Sequence, residues 1–162
     1  MLLKTHFVIS LFFVLLIILF SGFFENYPFF DKAIFVSVAL ISTLLPDIDS
    51  KSSKVGRNIF SRIIQFFTKH RGMLHSLNFC IFISFVLFLL VPLIAPGFLT
   101  GYSLHLIADG LTEMGILLFW PSKKLVLKGF IKTGKTFEKF LFFIFSFGIF
   151  LEIFIFFWRL FL

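Results

Sequence analysis

The chemistry available to this chain rests on a few histidines and aspartates that recur in three short stretches. LLPDIDS carries Asp47 and Asp49, KHRGMLHS carries His70, Arg71 and His75, and GYSLHLIADGLTEMGILLFWP carries His105 and Asp109. His6, near the N-terminus, is the remaining histidine. Imidazoles with carboxylates suit zinc, manganese or iron, and seven such groups exceed what one tetrahedral ion needs. A pair of ions about 3.5–4 Å apart could clamp a phosphoester.

Spacing limits how these groups can act. His105 and Asp109 are four apart and so share one face of a helix, with Thr112 and Glu113 continuing that stripe a turn later. For that pair alone the plain alternative is a buried hydrogen bond that holds two helices together. His70 and His75 are five apart, about 140° round a helix. They cannot meet one ion from a regular helix, so either Gly72 breaks it or the two serve different roles. Asp47 and Asp49 flank Ile48 in a turn, where one of them can simply bond the loop. Asp49 fits a general base or an orienter of a ligating histidine. Arg71 can hold a phosphate oxygen or merely face lipid headgroups.

The elements that must position these groups are set by composition. With 162 residues, 59% hydrophobic, 30 phenylalanines and a mean hydropathy of +1.07, the chain reads as a polytopic membrane protein and not a soluble domain. A single integral membrane domain over 1–162 is expected, since several spans leave no room for another. The lone Cys80 excludes a disulfide framework and reads as a small packing residue. The formal charge of +7 would point to nucleic acid in a soluble protein. Here the basic residues sit beside apolar runs, where they set topology and meet membrane lipid, so no nucleic acid partner is expected.

The pattern predicts an all-α membrane bundle of about five spans: Phe7 to Phe24, Lys32 to Leu45, Leu77 to Ala95, the stretch from Tyr102, and Phe137 to Leu162. No A-x-A-like site follows the first run, so it reads as an uncleaved span and not a signal peptide. Between spans two and three, VGRNIFSRIIQFFTK places Val55, Ile59, Phe60, Ile63, Ile64 and Phe67 on one helical face, as in an amphipathic helix lying in the interface. Lys4, six basic residues between spans two and three and six between spans four and five account for thirteen of the fifteen. Alternating spans put them all on one side, which the positive-inside rule makes cytoplasmic, with the N-terminus. Six of the seven candidate groups then lie near that same face, with His105 one turn deeper. Glu152, alone in the last span, reads as a helix-packing residue or a partner for the site. The GKT triplet near Lys135 lacks the rest of a phosphate-binding loop.

In these motifs the chain resembles the YdjM-type family of small prokaryotic inner-membrane proteins, described as metal-dependent hydrolases. That family has a histidine near the N-terminus, then PDxD, HRGxTHS, GYxxHxxxDxxTxxG and a WP pair. The resemblance runs from His6 to Pro121, and the matching positions are His6, Asp47, Asp49, His70, Arg71, His75, Ser76, His105, Asp109, Thr112 and Gly115. Leu74 stands where the family has Thr. The fourth helix is expected to end near Gly110 to Gly115, and Glu113, standing where Pro is common, favours the longer end of that range. The order His, Asp, His, then His-x₃-Asp is also similar to that of zinc-dependent phospholipase C and its related nucleases, without their later ligands or N-terminal Trp.

Residues and resemblance together imply an inner-membrane metallohydrolase acting on a phosphoester such as a lipid headgroup. His6, Asp47, His70, His75, His105 and Asp109 would hold one or two divalent ions, zinc first and manganese or iron next. Asp49 and Arg71 would be the catalytic side chains around a metal-activated water. A divalent metal-ion carrier is the rival, though midplane sites and internal repeats are missing from the sequence. A structural membrane protein with a metal staple is the third reading.

Overall fold

The computed structural model describes residues 1–50, 55–68 and 71–161. Among them are six α-helices: α1 (Leu3–Phe20), α2 (Phe29–Leu44), α3 (Ile59–Phe67), α4 (Leu77–Leu90), α5 (Ala95–Gly110) and α6 (Thr136–Leu160). Short 3₁₀ turns at Pro46–Asp49, Val55–Arg57 and Met73–His75 join them. A two-stranded antiparallel ribbon pairs β1 (Ile116–Leu117) with β2 (Val126–Leu127).

Three helical stretches, Leu3–Phe20, Phe29–Asp49 and Thr136–Arg159, are long and apolar enough to cross a membrane. The other two expected spans are shorter. The 14 residues of α4 and 16 of α5 rise about 21 and 24 Å, less than the hydrocarbon thickness of about 30 Å. Proline sets these limits. Pro92 keeps Val91 out of the helical region (φ −144°, ψ 76°), which ends α4, and Pro96 sits in the first turn of α5. Ser76 caps the start of α4 by accepting the Phe79 N–H at 3.3 Å.

Chain direction follows from the contacts. Along α1 and α6, Lys4 lies over Phe142, Phe12 against Phe145 and Gly148, and Phe20 by Arg159, so these helices run parallel. α5 is the central helix and packs chiefly on α2. Gly97 faces Phe35 and Val38, and Gly101 faces Ala39 and Ser42, so α2 and α5 are also parallel. At Gly101 even a methyl group would lie 1.8 Å from the Ala39 carbonyl oxygen. That close approach is what a small-xxx-small spacing allows within a membrane. Thr43 Oγ1 closes the seam by donating to the Ala39 and Gly101 carbonyls at 2.9 and 3.1 Å. The N-terminal ends of α1, α4 and α6 therefore meet the C-terminal ends of α2 and α5 at one end of the bundle.

Two expectations are corrected. α5 stops at Gly110 and does not continue through Glu113. Its next carbonyls are taken sideways: Ile131 N–H donates to Leu111 O at 3.0 Å and Gly129 N–H to Thr112 O at 3.1 Å. Gly110 itself lowers helix propensity at that point. Glu113 is consequently exposed, 3.7 Å from Lys132, and not part of the polar stripe. The amphipathic α3 is oriented as an interfacial helix should be, with Ile59, Ile63 and Phe66 exposed. Its polar side turns inward, where Gln65 donates to the Ile48 and Gly56 carbonyls at 2.9 and 2.7 Å.

Candidate metal centre

The five helix ends bring together His6 from α1, Asp47 and Asp49 from the turn after α2, His75 from the turn before α4, and His105 and Asp109 from α5. His6, His75, His105 and Asp109 are at most 1% exposed, and Asp47 and Asp49 8% and 4%. Four sequence-distant segments thus converge on one buried point. His70, the remaining expected ligand, lies outside the described residues.

Asp109 is the hub. Its Oδ1 lies 3.1 Å from His6 Nε2, and its Oδ2 lies 3.7 Å from His75 Nε2, 3.9 Å from His105 Nε2 and 2.9 Å from Arg71 Nη2. The α-ammonium of Met1 also sits 2.7 Å from Oδ1. The rings of His6 and His105 stack with centroids 4.1 Å apart. Two overlapping groups, His6–Asp47–His105 and His75–His105–Asp109, each have donor atoms within 4.8 Å of one another and can hold a metal ion.

Tautomers favour that use. His105 Nδ1 lies 2.8 Å from the Thr43 carbonyl oxygen, which can only accept, so Nδ1 carries the proton and Nε2 keeps its lone pair. His75 Nδ1 lies 3.1 Å from Asp49 Oδ2, with the same consequence. An outer carboxylate or carbonyl fixing the far nitrogen is the usual support for a ligating imidazole. Nε2 of His105 and Nδ1 of His6 are buried and make no hydrogen bond. Buried polar atoms without partners are costly. Here they point the same way as the donor set: these residues fit a divalent ion.

Arg71 is held in place. Its φ of 61° is in the left-handed region, uncommon for a residue with a Cβ. The backbone N–H donates to Asp49 Oδ2 at 3.2 Å, and Nη1 donates to Thr112 Oγ1 and the Gly115 carbonyl at 3.1 and 2.7 Å. With Nη2 on Asp109, only the buried Nε lacks a partner. Thr112 Oγ1 in turn donates to the Asp109 carbonyl at 2.7 Å.

Sequence reasoning missed three supports. Gly97 and Gly101, four apart, are a readable small-residue spacing that sets the α2–α5 distance. The Thr43 carbonyl is a backbone group and leaves no signal in residue type. Glu138, buried in the first turn of α6, accepts the Leu2 and Gly134 N–H groups at 2.6 and 2.5 Å and so anchors the start of the helix that carries His6. Its signal was a lone carboxylate amid lysines. Glu152 lies fourteen residues further along α6, about 21 Å by helical rise. It takes no part in the cluster. It is buried, and neither of its oxygens has a hydrogen-bond partner.

Beside the cluster a cleft of about 860 Å³ opens, with Asp47, Arg57, Arg71 and Asp109 among its lining.

Residues 1–161 match the family model described as YdjM inner membrane protein. The chain is 33% identical over 115 residues to YvsG of Bacillus subtilis, a protein described as uncharacterised, covering 68% of this chain and 72% of that one. It is 34% identical over 97 residues to the inner membrane protein YdjM of Escherichia coli, covering 54% of this chain and 50% of that one, and equally to its counterpart in Shigella flexneri. The match thus spans half the length of those two relatives. No solved structure matches the chain.

Proposed function

The chain belongs to the YdjM inner membrane protein family, and we propose that it is a membrane-bound metal-dependent hydrolase of a phosphoester such as a lipid headgroup. The observation that carries this reading is the buried convergence of three imidazoles and three carboxylates, with the far nitrogens of His75 and His105 already committed to Asp49 and Thr43. His6, Asp47, His75, His105 and Asp109 would hold the ion or ions, with His70 a further ligand on the sequence pattern; zinc suits the set best. A divalent ion held there supplies Lewis acidity and lowers the pKa of water toward about 7.

The chain's own residues do the rest. Asp49 accepts the His75 Nδ1–H and so fixes the orientation of that ring, and its carboxylate is the candidate general base for water. Thr43 keeps the His105 proton on Nδ1. Arg71, its two Nη atoms tied to Thr112, Gly115 and Asp109, puts a fixed positive charge on the cleft wall, where it offsets that of a phosphate. We place the site at the cytoplasmic end of the bundle, because the basic residues cluster with it.

Metal analysis of detergent-purified protein tests the reading. Wild type should carry at least one equivalent of a divalent ion, and His105→Ala and Asp109→Ala should each lose at least one while still inserting. Metal-loaded protein that cleaves no lipid or nucleotide phosphoester, yet moves zinc or manganese across liposomes, would replace the hydrolase with a carrier.

A further inference from the structure

The lining of the cleft beside the cluster falls into two chemical sets: Asp47, Ser50, Arg57, Arg71 and Asp109 are polar, while Leu3, Phe7, Val8, Leu44 and Phe142 are apolar. The apolar residues belong to α1, α2 and α6, the helices that carry the three stretches long and apolar enough to cross a membrane. Lys4 also lines the cleft, its Nζ 5.2 Å from the Phe142 ring centroid. A volume of about 860 Å³ falls in the range that encloses a whole drug-sized molecule, roughly 300–1,000 Å³. A soluble phosphoester the size of a headgroup would leave the apolar half unfilled.

The surroundings favour an anionic occupant that arrives from the bilayer. Arg57 is exposed at the mouth, next to the exposed Ile59, Ile63 and Phe66 of α3. An apolar helical face with arginine beside it lies at the headgroup level of an anionic surface. Arg57, Lys4 and Arg71 supply three cations; with the charge of Asp47 and Asp109 neutralised by a divalent ion these match a phosphate, while the apolar wall matches an acyl chain.

We propose that this cleft docks an anionic phospholipid with an exposed phosphate, taken sideways from the adjoining leaflet, with the headgroup toward Arg57 and Arg71 and one acyl chain along Phe7, Val8 and Leu44. The proposal rests on the hydrolase reading for what happens to the phosphate, but docking itself needs no turnover. An acyl chain in the leaflet is already out of water, so the wall selects by fit and by the high local concentration of lipid rather than by a gain per methylene, which sets lipid apart from its soluble headgroup.

The test uses full-length protein in phosphatidylcholine nanodiscs with a non-cleavable phosphonate analogue of phosphatidate, a photoreactive diazirine on its acyl chain. Crosslinks should concentrate on the peptides bearing Phe7, Val8 and Leu44. Unlabelled phosphatidate should compete for them, whereas glycerol 3-phosphate at the same concentration should not. Arg57→Gln, a change at an exposed side chain, should lower them at least fivefold, and Val8→Trp, which fills the wall, should do the same. Crosslinks on the outer face of α4 should stay constant. Labelling spread evenly over all lipid-facing helices, or equal competition by glycerol 3-phosphate, overturns the docking site. Bound metal is measured on the same samples. Metal retained without specific crosslinks sinks the lipid proposal alone, and specific crosslinks without bound metal sink the hydrolase reading alone.

Discussion

Substituting Gly101 by alanine should weaken the proposed metal site without touching a ligand. The added methyl would stand 1.8 Å from the Ala39 carbonyl oxygen and 2.3 Å from Ser42 Oγ, where ordinary contact begins at 3.4 Å. The first of these is backbone, so it cannot rotate away. α2 and α5 must part by about 1.6 Å at that level, the difference between 3.4 and 1.8 Å. His105 is one turn further along α5, and its 2.8 Å bond to the Thr43 carbonyl crosses the same seam. A metal site tolerates displacements of about 0.2 Å, and overpacking of this kind costs about 1–3 kcal/mol. The expected result is a divalent-ion affinity weakened about 10–100-fold.

Two companion glycines make the reasoning refutable. At Gly97 the tightest contact is 2.9 Å to the Phe35 carbonyl, calling for a shift of about 0.5 Å. At Gly110 it is 2.4 Å to Leu127 Cδ2, the flexible tip of a side chain. Zinc affinities measured by competition with a chromophoric chelator should therefore fall in the order Gly110→Ala, Gly97→Ala, Gly101→Ala, the last weakest. Wild-type affinity in Gly101→Ala, or Gly110→Ala as the worst of the three, would show that the α2–α5 spacing does not govern the site.

Asp49→Asn keeps the shape that holds His75 and removes the charge, so it should retain the metal stoichiometry with affinity lowered about 10–100-fold. It should abolish phosphoester cleavage, and metal titration alongside a turnover assay separates the two effects. Glu138→Ala leaves the partly buried Leu2 and Gly134 N–H groups without their charged acceptor and should destabilise the protein by about 1–3 kcal/mol. The loss should appear as faster hydrogen exchange at the first turn of α1 than in α4; uniform exchange would deny Glu138 its anchoring role. Reporter fusions after Lys128 should read cytoplasmic and after Tyr27 external, and a cytoplasmic Tyr27 would reverse the proposed orientation.

The convergence of the site was legible because two independent patterns agreed. Lysines and arginines alone imply which ends of the apolar runs share a side, and His6, Asp47, Asp49, His75 and Asp109 fall at those same ends. What was not legible depends on backbone. The helix carrying His105 ends at Gly110 because Gly129 and Ile131, some twenty residues later, take its carbonyls, and no local propensity encodes that pairing. The span of α4 reads as longer than it is because apolar composition continues through Val91–Ile94 although Pro92 interrupts the helix, while α5, read from Tyr102, already begins at Ala95. The face of α3 was half legible: its apolar stripe was visible, but the inward anchor, Gln65 on two carbonyls, depends on turns that only the fold brings near. Arg71 looked like a free cation for substrate, and its left-handed backbone and bonds to Thr112, Gly115 and Asp109 are tertiary facts.

The charge inside the cluster ties ion number to substrate. Asp47, Asp49 and Asp109 bring three negative charges, and Arg71, with its side chain 11% exposed, brings one positive charge. Imidazoles that ligate are neutral, so the side chains are left with two negative charges in excess. Such an excess is expensive away from water, and the position beside Asp109 Oδ1, where the Met1 ammonium lies, is where positive charge is already favoured. One divalent ion, taking the place of that ammonium, neutralises the side chains. A second would leave two positive charges, which a phosphate monoester dianion cancels. In the hydrolase reading, then, binding of the second ion and binding of the anionic headgroup are coupled, each raising the affinity of the other by the same factor.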